Sequence, residues 1–238
     1  MITRLERPLE CTGIPASGQY LYAWTGSWVR LPTAVGGIEG TPLRTLSRGA
    51  VAAVVSDRPV GDTLLWRQHA AAHGQVIREL WARCPIVPLG FCQVTAGSAD
   101  EVLELLRANE SAIAAELSRL AGTSEMAVRL DWVGSRRPAP EVIREHDADM
   151  LLAVLKGIVI EHLFDSRADG LQACFLIWRG AETDFERALA EVAGKLGRRR
   201  AVGWCGPRPP YRFVRLLPGR LAWPAARAGG KHGALAGQ

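Results

Sequence analysis

The first half of the chain carries apolar runs of strand length and one apolar stripe of helical spacing. Strand-forming residues fill Tyr20 to Trp24, and a second run from Ala50 to Val55 is bounded by glycine and turn formers. Apolar residues recur at helical spacing between Trp66 and Trp81, which predicts a helix with His73 on its buried side. The run from Ile86 to Phe91 is also extended, and its proline lacks a backbone donor, which predicts a sheet edge or a bulge.

The second half alternates helices with strands. Ser98 and Glu101 have the spacing of a capping box, which predicts a long helix that ends at Gly122. The remaining pattern predicts a strand (Ala127 to Val133), a helix (about Pro140 to Phe164) and a second strand (Leu171 to Trp178). A second capping box at Thr183 and Glu186 then opens a helix that ends at Gly197, and a last strand follows (Tyr211 to Val214). This order resembles the split βαβ plan, although one strand of that plan is not evident.

These elements predict an α+β protein built from two small α/β-sandwich domains. Residues 1–95 would form an N-terminal α+β domain, and residues 96–217 a C-terminal ferredoxin-like domain with a long leading helix. Residues 218–238 turn to Pro, Gly, Ala and Arg without periodicity, so we expect a disordered tail there. At 238 residues the chain is long enough for two such domains.

The hydropathy pattern argues against secretion and membrane insertion. The segment from Met1 to Gly13 is charged and lacks the unbroken apolar core of a signal peptide. The most apolar segment, Met150 to Phe164, is interrupted by charged residues and is shorter than the ~20 residues that span a bilayer. We therefore expect a cytoplasmic protein with no membrane association.

Few residues have the spacing of a metal or catalytic site. The five cysteines are odd in number and form no Cys-x-x-Cys pair, so we expect reduced thiols, with neither a disulfide framework nor a zinc site. His69 and His73 are four apart, as in some zinc sites, but Ala70 replaces the glutamate of the zincin motif and His73 lies on the buried stripe. No phosphate-binding glycine loop or nucleophile motif is present, so we expect no metal, no cofactor and no enzymatic activity.

Positive charge is concentrated at the C-terminal end. The net charge is +5, yet from Arg198 onward there are eight arginines and Lys231 with no acid, so the preceding residues are net acidic. Such asymmetry is typical of tails that meet nucleic acid, a membrane surface or an acidic protein. A solvated tail that aids solubility is an equally good interpretation.

The arginines at positions 198–200, 208, 212 and 215 are interleaved with Trp204, Tyr211 and Phe213. Phosphate contacts combined with base stacking would use such residues, so a nucleic-acid-binding protein is the alternative function class. The favoured interpretation is structural: Tyr211 and Phe213 would share one face of a last strand, with Arg212 on the other.

A motif within this segment resembles a known family. Residues 206–214 read Gly-Pro-Arg-Pro-Pro-Tyr-Arg-Phe-Val and resemble the Gly-Pro-Trp-Pro-Pro-Tyr-Ser-Phe-Val signature of the GvpL/GvpF gas vesicle accessory proteins, with seven of nine positions in agreement. Further matches follow in the family's order, among them Tyr20-Leu21-Tyr22, residues 49–56, His73, Val87-Pro88-Leu89 with Phe91, and Phe175-Leu176-Ile177 before Phe185. Arg208 departs from the family by replacing its tryptophan.

The resemblance implies a non-enzymatic gas vesicle assembly factor with two α+β domains. It implies a minor vesicle component, in the cytoplasm and the gas vesicle, that binds the shell protein, limits its aggregation during nucleation and meets other accessory proteins. The candidate partner-binding residues are Arg208, Tyr211, Arg212 and Phe213. The prolines between Gly206 and Pro210 would form a rigid rim for such a contact, or only a turn that positions the last strand.

Overall fold

The computed structural model describes residues 18–57, 66–133, 140–167, 170–196, 200–216 and 221–222. The chain divides into two compact units. The first comprises residues 1–121 together with residues 214–238, and the second comprises residues 122–213. The chain therefore leaves the first unit once and returns to it after Phe213.

The first unit contains an antiparallel sheet of five strands. These are β1 (Gln19–Gly26), β2 (Arg44–Arg48), β3 (Val51–Asp57), β4 (Ile86–Pro88) and β5 (Thr95–Ala96). Their order is β2-β3-β1-β4, and β5 also pairs with β1. All eight residues of β1 are buried because this strand lies in the middle of the sheet. The strands predicted around Tyr20 and Val55 are confirmed, as is the edge position of Pro88.

Two helices complete the first unit, α1 (Trp66–Arg83) and α2 (Ala99–Leu120). Ser98 caps α2 as predicted, since its side chain accepts from the Glu101 N–H at 3.2 Å. The Glu101 carboxylate instead reaches back to the Gly97 N–H at 2.6 Å. Gly122 follows the helix with a φ of 69°, the left-handed conformation that glycine adopts readily after a helix.

Helix α2 packs in the first unit, whereas the sequence placed it at the start of the second domain. Its apolar side contributes Val102, Leu105, Leu106 and Ile113 to a core shared with Leu21 and Trp24 of β1, and Val214, Leu216 and Leu221 pack on the same core. The capping signal located the start of this helix correctly. A helix start does not reveal against which sheet its apolar side will pack.

The second unit has the element order β-α-β-β-α-β and one antiparallel sheet. Its elements are β6 (Thr123–Trp132), α3 (Pro140–Val154), β7 (Val159–Arg167), β8 (Gly170–Trp178), α4 (Glu182–Leu196) and β9 (Arg200–Arg208), with strand order β7-β8-β6-β9. One face of the sheet packs against both helices, with Phe175 and Phe185 at the centre of that core. The protein is thus α+β, with two antiparallel sheets and four helices in its described part.

The structure corrects three predictions for this unit. The helix predicted to reach Phe164 ends at Val154, and the strand β7 follows. Helix α4 begins at Glu182, so Thr183 lies inside it and does not cap it. The last strand is β9, while Tyr211–Phe213 form one turn of 3-10 helix.

The remaining sequence expectations concern the membrane, the tail and the cysteines. Within the described residues, no helix has both the length and the apolar character needed to cross a bilayer. The predicted disorder after Pro218 falls largely outside the described residues, but Leu221 is buried and the Ala222 N–H donates to Asn109 at 2.9 Å, contrary to that prediction. Cys92 is disulfide-bonded, so the expectation of reduced thiols is wrong there, because sequence spacing does not show which cysteines meet in space.

Candidate partner-binding site

The C-terminal signature begins where Gly206 lies directly against β6. Gly206 has a φ of 141°, and a Cβ at this position would lie 2.5 Å from the Met126 sulfur and 2.9 Å from the Glu125 carbonyl oxygen. Only glycine allows the chain to approach the strand so closely with this backbone conformation. The glycine of the signature therefore sets the path of the residues that follow.

Glu125 fastens the next part of the signature. This side chain is fully buried in β6, and its Oε1 accepts from Arg208 Nη2 at 2.6 Å and from Arg208 Nε at 3.0 Å. Its Oε2 accepts from the backbone N–H of Arg212 at 2.9 Å. Burial lowers the pKa of Arg208, but the charge and hydrogen bonds of Glu125 outweigh it, and the net shift is upward. One buried carboxylate thus holds residues 208 and 212, the two ends of the segment 208–212.

Two thiols flank the Arg208 guanidinium. Cys174 of β8 and Cys205 of β9 both pair with Ala127 of β6, one on each side of it. Their Sγ atoms lie 3.8 Å from Nη2 and 4.0 Å from Nη1 of Arg208. Burial first, and the charge of Glu125 second, raise the pKa of Cys174, so this thiol remains protonated and fills space between the strands.

The prolines and the 3-10 turn complete the segment. Pro209 and Pro210 are buried, and their carbonyl oxygens accept from the N–H groups of Tyr211 at 2.8 Å and Phe213 at 3.2 Å. Phe213 is also buried, at 3% exposure. Arg212 is exposed, and its Nη2 lies 3.8 Å from the Asp165 carboxylate of β7.

The four candidate residues therefore separate into two kinds. Arg208 and Phe213 point into the unit and hold the segment in place. Tyr211 is half-buried and Arg212 is exposed, so these two present side-chain surface outward. The four residues lie in one short segment, but the sequence pattern assigned Tyr211 and Phe213 to the same strand face, which the 3-10 turn contradicts.

A second cluster, in the first unit, joins Tyr20, Tyr22 and His73. The His73 Nε2 lies 2.9 Å from the Leu89 carbonyl oxygen, which can only accept, so Nε2 carries the proton. Nδ1 consequently accepts from the Tyr20 hydroxyl at 2.9 Å. The Tyr20 oxygen accepts in turn from the Cys92 N–H at 3.0 Å. The imidazole also stacks on Tyr22, with ring centroids 5.5 Å apart.

This environment keeps His73 neutral. Burial lowers its pKa from 6.5 to about 4, and the Leu89 hydrogen bond opposes the shift only partly. The neighbouring Tyr22 hydroxyl accepts from the Ile38 N–H at 2.8 Å and lies 3.0 Å from Ser56 Oγ. The two tyrosines thus anchor two loops to β1, and the interpretation of His73 as a hydrogen-bonded packing residue is confirmed.

His69 and His73 do not converge on one point. The His69 Nε2 lies 3.2 Å from Glu39 Oε1, whereas both nitrogens of His73 are engaged by Tyr20 and Leu89. In the part of the chain that the structure describes, no group of three or more His, Cys, Asp or Glu side chains has the arrangement of a metal site.

The described arginines of the basic C-terminal segment lie beside acids. Arg200 contacts Asp147 at 3.1 Å and stacks over Trp132 at 4.0 Å, Arg208 contacts Glu125, and Arg212 faces Asp165. The backbone N–H of Arg215 donates to the Glu116 carboxylate at 2.6 Å. Burial acts to raise the pKa of Glu116, but the interactions with Arg119 and Arg215 outweigh burial, so the net shift of this pKa is downward. The charges of Arg200, Arg208 and Arg212 are therefore balanced at least in part by acids of the second unit.

Sequence reasoning missed the buried polar residues that receive this segment. The buried residues Glu125, Asp147, Glu116 and Asn109 bind residues at least 53 positions distant, apart from two local contacts, Glu116 with Arg119 and Asn109 with Leu105. The one local signal was a glutamate inside the apolar stretch of β6. A charged residue in a buried strand requires a partner, but the sequence does not name it.

Comparisons with known proteins agree on one class. The sequence model described as "Gas vesicle synthesis protein GvpL/GvpF" matches residues 18–150. The chain is 26% identical over 173 residues to "Gas vesicle protein F1" of Halobacterium salinarum, a match that covers 71% of this chain and 80% of that protein. This protein is therefore a member of the GvpL/GvpF family of gas vesicle synthesis proteins.

Solved structures support the same fold. The crystal structure of the gas vesicle protein GvpF from Anabaena sp. PCC7120 matches with a TM-score of 0.71 at 18% identity, covering 84% of this chain and 97% of that one. GvpF from Microcystis aeruginosa matches with a TM-score of 0.70 at 16% identity, covering 84% and 99%. At these identities the likeness establishes the fold alone.

Proposed function

We propose that this protein binds the gas vesicle shell protein and limits its aggregation while the vesicle is being nucleated. Membership of a gas vesicle synthesis family supports this proposal. The structural observation that carries it is the fixed C-terminal segment, in which Glu125 and two buried prolines hold Tyr211 and Arg212 toward the surface. A binding surface that is already ordered loses less conformational entropy when a partner arrives.

The physical need for such a protein follows from the shell. A wall that encloses gas has to present an apolar face inward, so its free subunits expose aggregation-prone surface in water. A partner that binds this surface lowers the concentration of free subunits by mass action. Aggregation then slows until subunits are transferred to the growing shell.

Within the site, Tyr211 and Arg212 are the proposed contact residues, and Arg208 and Phe213 are the residues that hold them. Tyrosine and arginine combine a large contact area with hydrogen-bonding groups, which is why both are common at protein interfaces. The exposed guanidinium of Arg212 would fix the orientation of the bound shell protein, and the half-buried ring of Tyr211 would contribute apolar contact.

Several finer properties belong to the same proposal. The protein would act without catalysis. It would be present in the cytoplasm and in the gas vesicle, and it would bind other gas vesicle accessory proteins. We also propose that the second unit is ferredoxin-like, which its β-α-β-β-α-β order and its β7-β8-β6-β9 sheet support. The nucleic-acid alternative is disfavoured by the acids that lie beside Arg200, Arg208 and Arg212.

Co-purification tests the proposed binding. The tagged chain and the shell protein would be produced in the same cells, and shell protein should be recovered on the tag. Replacing Tyr211 and Arg212 together by alanine should reduce this recovery several-fold. Trp28→Ala, a change at an exposed residue of the first unit, is the control and should leave recovery unaltered. Failure of the folded, unaltered chain to retain any shell protein would exclude the proposal.

A further inference from the structure

We propose that the outer edge of β7 receives an extended, mainly apolar segment of the shell protein as an added strand. This inference rests on the proposed function and deepens it by naming a second contact and its geometry. Strand addition uses the N–H and C=O groups that a sheet leaves unpaired at its edge. The two sheets in the part of the chain that the structure describes have four edges.

Three of the four edges carry features that discourage strand addition. The edge strand β2 is five residues long, with an arginine at each end. The opposite edge of that sheet consists of β4, which has three residues and ends in Pro88, and of the two-residue β5. The edge strand β9 is interrupted by a register shift and contains Pro207, which has no N–H to donate. Short strands, charged ends, prolines and bulges all protect natural edges.

The β7 edge lacks most of this protection. β7 is nine residues long, contains no proline, has an arginine at one end only, and keeps an unbroken register with β8 from Glu161 to Arg167. The register shift lies before Glu161, at Ile160, whose side chain is 40% exposed. Leu163, in the middle of the regular stretch, is 43% exposed. An edge that is long, regular and partly apolar favours pairing with another strand.

The residues around Leu163 define the chemistry of the occupant. Side chains two apart on a strand share a face, so Glu161 and Asp165 flank Leu163. An added strand that places an apolar residue opposite Leu163 would bury it, while an acidic residue opposite either carboxylate would be repelled. An extended segment with apolar residues flanked by uncharged or basic residues fits this pattern. A helix fits less well, because its backbone groups are already paired and would leave those of the edge unsatisfied.

The β7 edge continues into the site already described. Arg212 of the signature segment lies 3.8 Å from Asp165 of β7 through its guanidinium. A partner strand on β7 would therefore pass beside the exposed side chain of Arg212. One shell segment could contact the edge and the signature segment at once, and the two contacts would strengthen each other through effective concentration.

Amide hydrogen exchange on the full chain, with and without shell subunits diluted from denaturant, tests the proposed edge. Those amides of residues 161–167 that face away from β8 should exchange at least about tenfold more slowly with the subunits present, because added-strand hydrogen bonds protect them. The same experiment monitors every other segment. Protection elsewhere with none on β7 would overturn the inference and leave the proposed function intact.

A matched pair of variants makes the test specific. Leu163→Lys should raise the protein concentration needed for half-suppression of shell aggregation about tenfold, which corresponds to ~1.4 kcal/mol of binding free energy. The control is Val133→Lys, because Val133 is an aliphatic residue of similar exposure, 52%, that directly follows the inner strand β6. This variant should change the concentration for half-suppression less than about twofold. Equal behaviour of the two variants would contradict the β7 site. If the unaltered chain suppresses nothing, the proposed function itself fails.

A second copy of the chain is the competing occupant of the edge. Light scattering of the purified protein alone gives its mass, and a monomer is expected at the concentrations used for the suppression experiment. A dimer that Leu163→Lys converts to a monomer would show that β7 pairs with itself and would overturn the inference.

Discussion

Arg208 lies over the buried carboxylate of Glu125, and two of its guanidinium nitrogens contact the same oxygen, Oε1, at 2.6 and 3.0 Å. The strand β6 carries Glu125, and the signature segment carries Arg208. In the GvpL/GvpF signature quoted above, a tryptophan stands at this position. Because it is Arg208 here, an ion pair with the buried Glu125 holds the signature residues against β6.

Removing Arg208 should destabilise the second unit. Arg208→Leu leaves the Glu125 carboxylate buried without its counter-charge, and we expect a loss of about 2 to 3 kcal/mol in the free energy of unfolding. This is below the ~3 to 5 kcal/mol typical of a fully buried pair, because 37% of the Arg208 side chain is exposed and solvent screens the charge. Urea denaturation measures the change.

The double variant provides the control for that experiment. Arg208→Leu combined with Glu125→Leu removes both charges, so it should be less destabilised than Arg208→Leu alone. A double variant that is as unstable as the sum of the two single changes would mean that the ion pair contributes little to the fold.

His73 should make the first unit sensitive to mild acid. The unfolded chain binds a proton at this imidazole below pH 6.5, but the folded chain does so only near pH 4. The free energy of unfolding should therefore fall as the pH drops from 6.5 to 4, by about 3 kcal/mol from this group. His73→Phe should be less stable at neutral pH and should lose this part of the pH dependence. Nitrogen NMR of the imidazole should show a neutral ring with the proton on Nε2 at pH 6, and a ring that titrates near pH 6.5 would contradict the buried network.

The C-terminal end of the fold should lie beyond Pro218. A chain that ends at Pro218 loses the buried Leu221 side chain and both Ala222 contacts of the buried Asn109. We expect this truncation to cost about 2 to 4 kcal/mol, whereas a chain that ends at Ala222 should keep most of its stability. Thermal denaturation of the two truncated chains distinguishes them, and equal melting temperatures would show that Leu221 adds nothing to the core.

Strand patterns and capping signals predicted much of each unit, and non-local contacts explain most of what they missed. The central strand around Tyr20 and the start of α2 at Ser98 were evident because both signals are local. The turn between α3 and β7 was not, because the apolar run from Met150 to Phe164 is compatible with a helix or with a helix followed by a strand. Gly157, with a φ of 84°, is the residue at which the chain leaves the helical path.

The candidate site was located by resemblance, and its mechanics were not accessible from the sequence. The signature identified Arg208 to Phe213, but Glu125 lies 83 positions before Arg208 and carries no motif of its own. The orientation of Phe213 depends on a 3-10 turn that the proline pair initiates, and alternation along an extended strand predicts the opposite arrangement.

Duplex DNA should bind only weakly. Acids lie beside Arg200, Arg208 and Arg212, so these arginines have less charge available for phosphate contacts. At physiological salt the dissociation constant should fall in the non-specific range of ~10⁻⁴ to 10⁻⁶ M or weaker. Fluorescence anisotropy with a labelled duplex measures the dissociation constant. Nanomolar affinity would favour nucleic-acid binding over shell-protein binding as the function.

Light scattering of shell subunits shows whether this protein keeps them from aggregating. Subunits diluted from denaturant should scatter less in proportion to the concentration of this protein, because a bound apolar face cannot start an aggregate. Replacing Tyr211 and Arg212 together by alanine should weaken the effect while circular dichroism shows a folded chain. If scattering is unchanged in the presence of the intact, folded protein, this protein does not bind shell subunits in the way proposed.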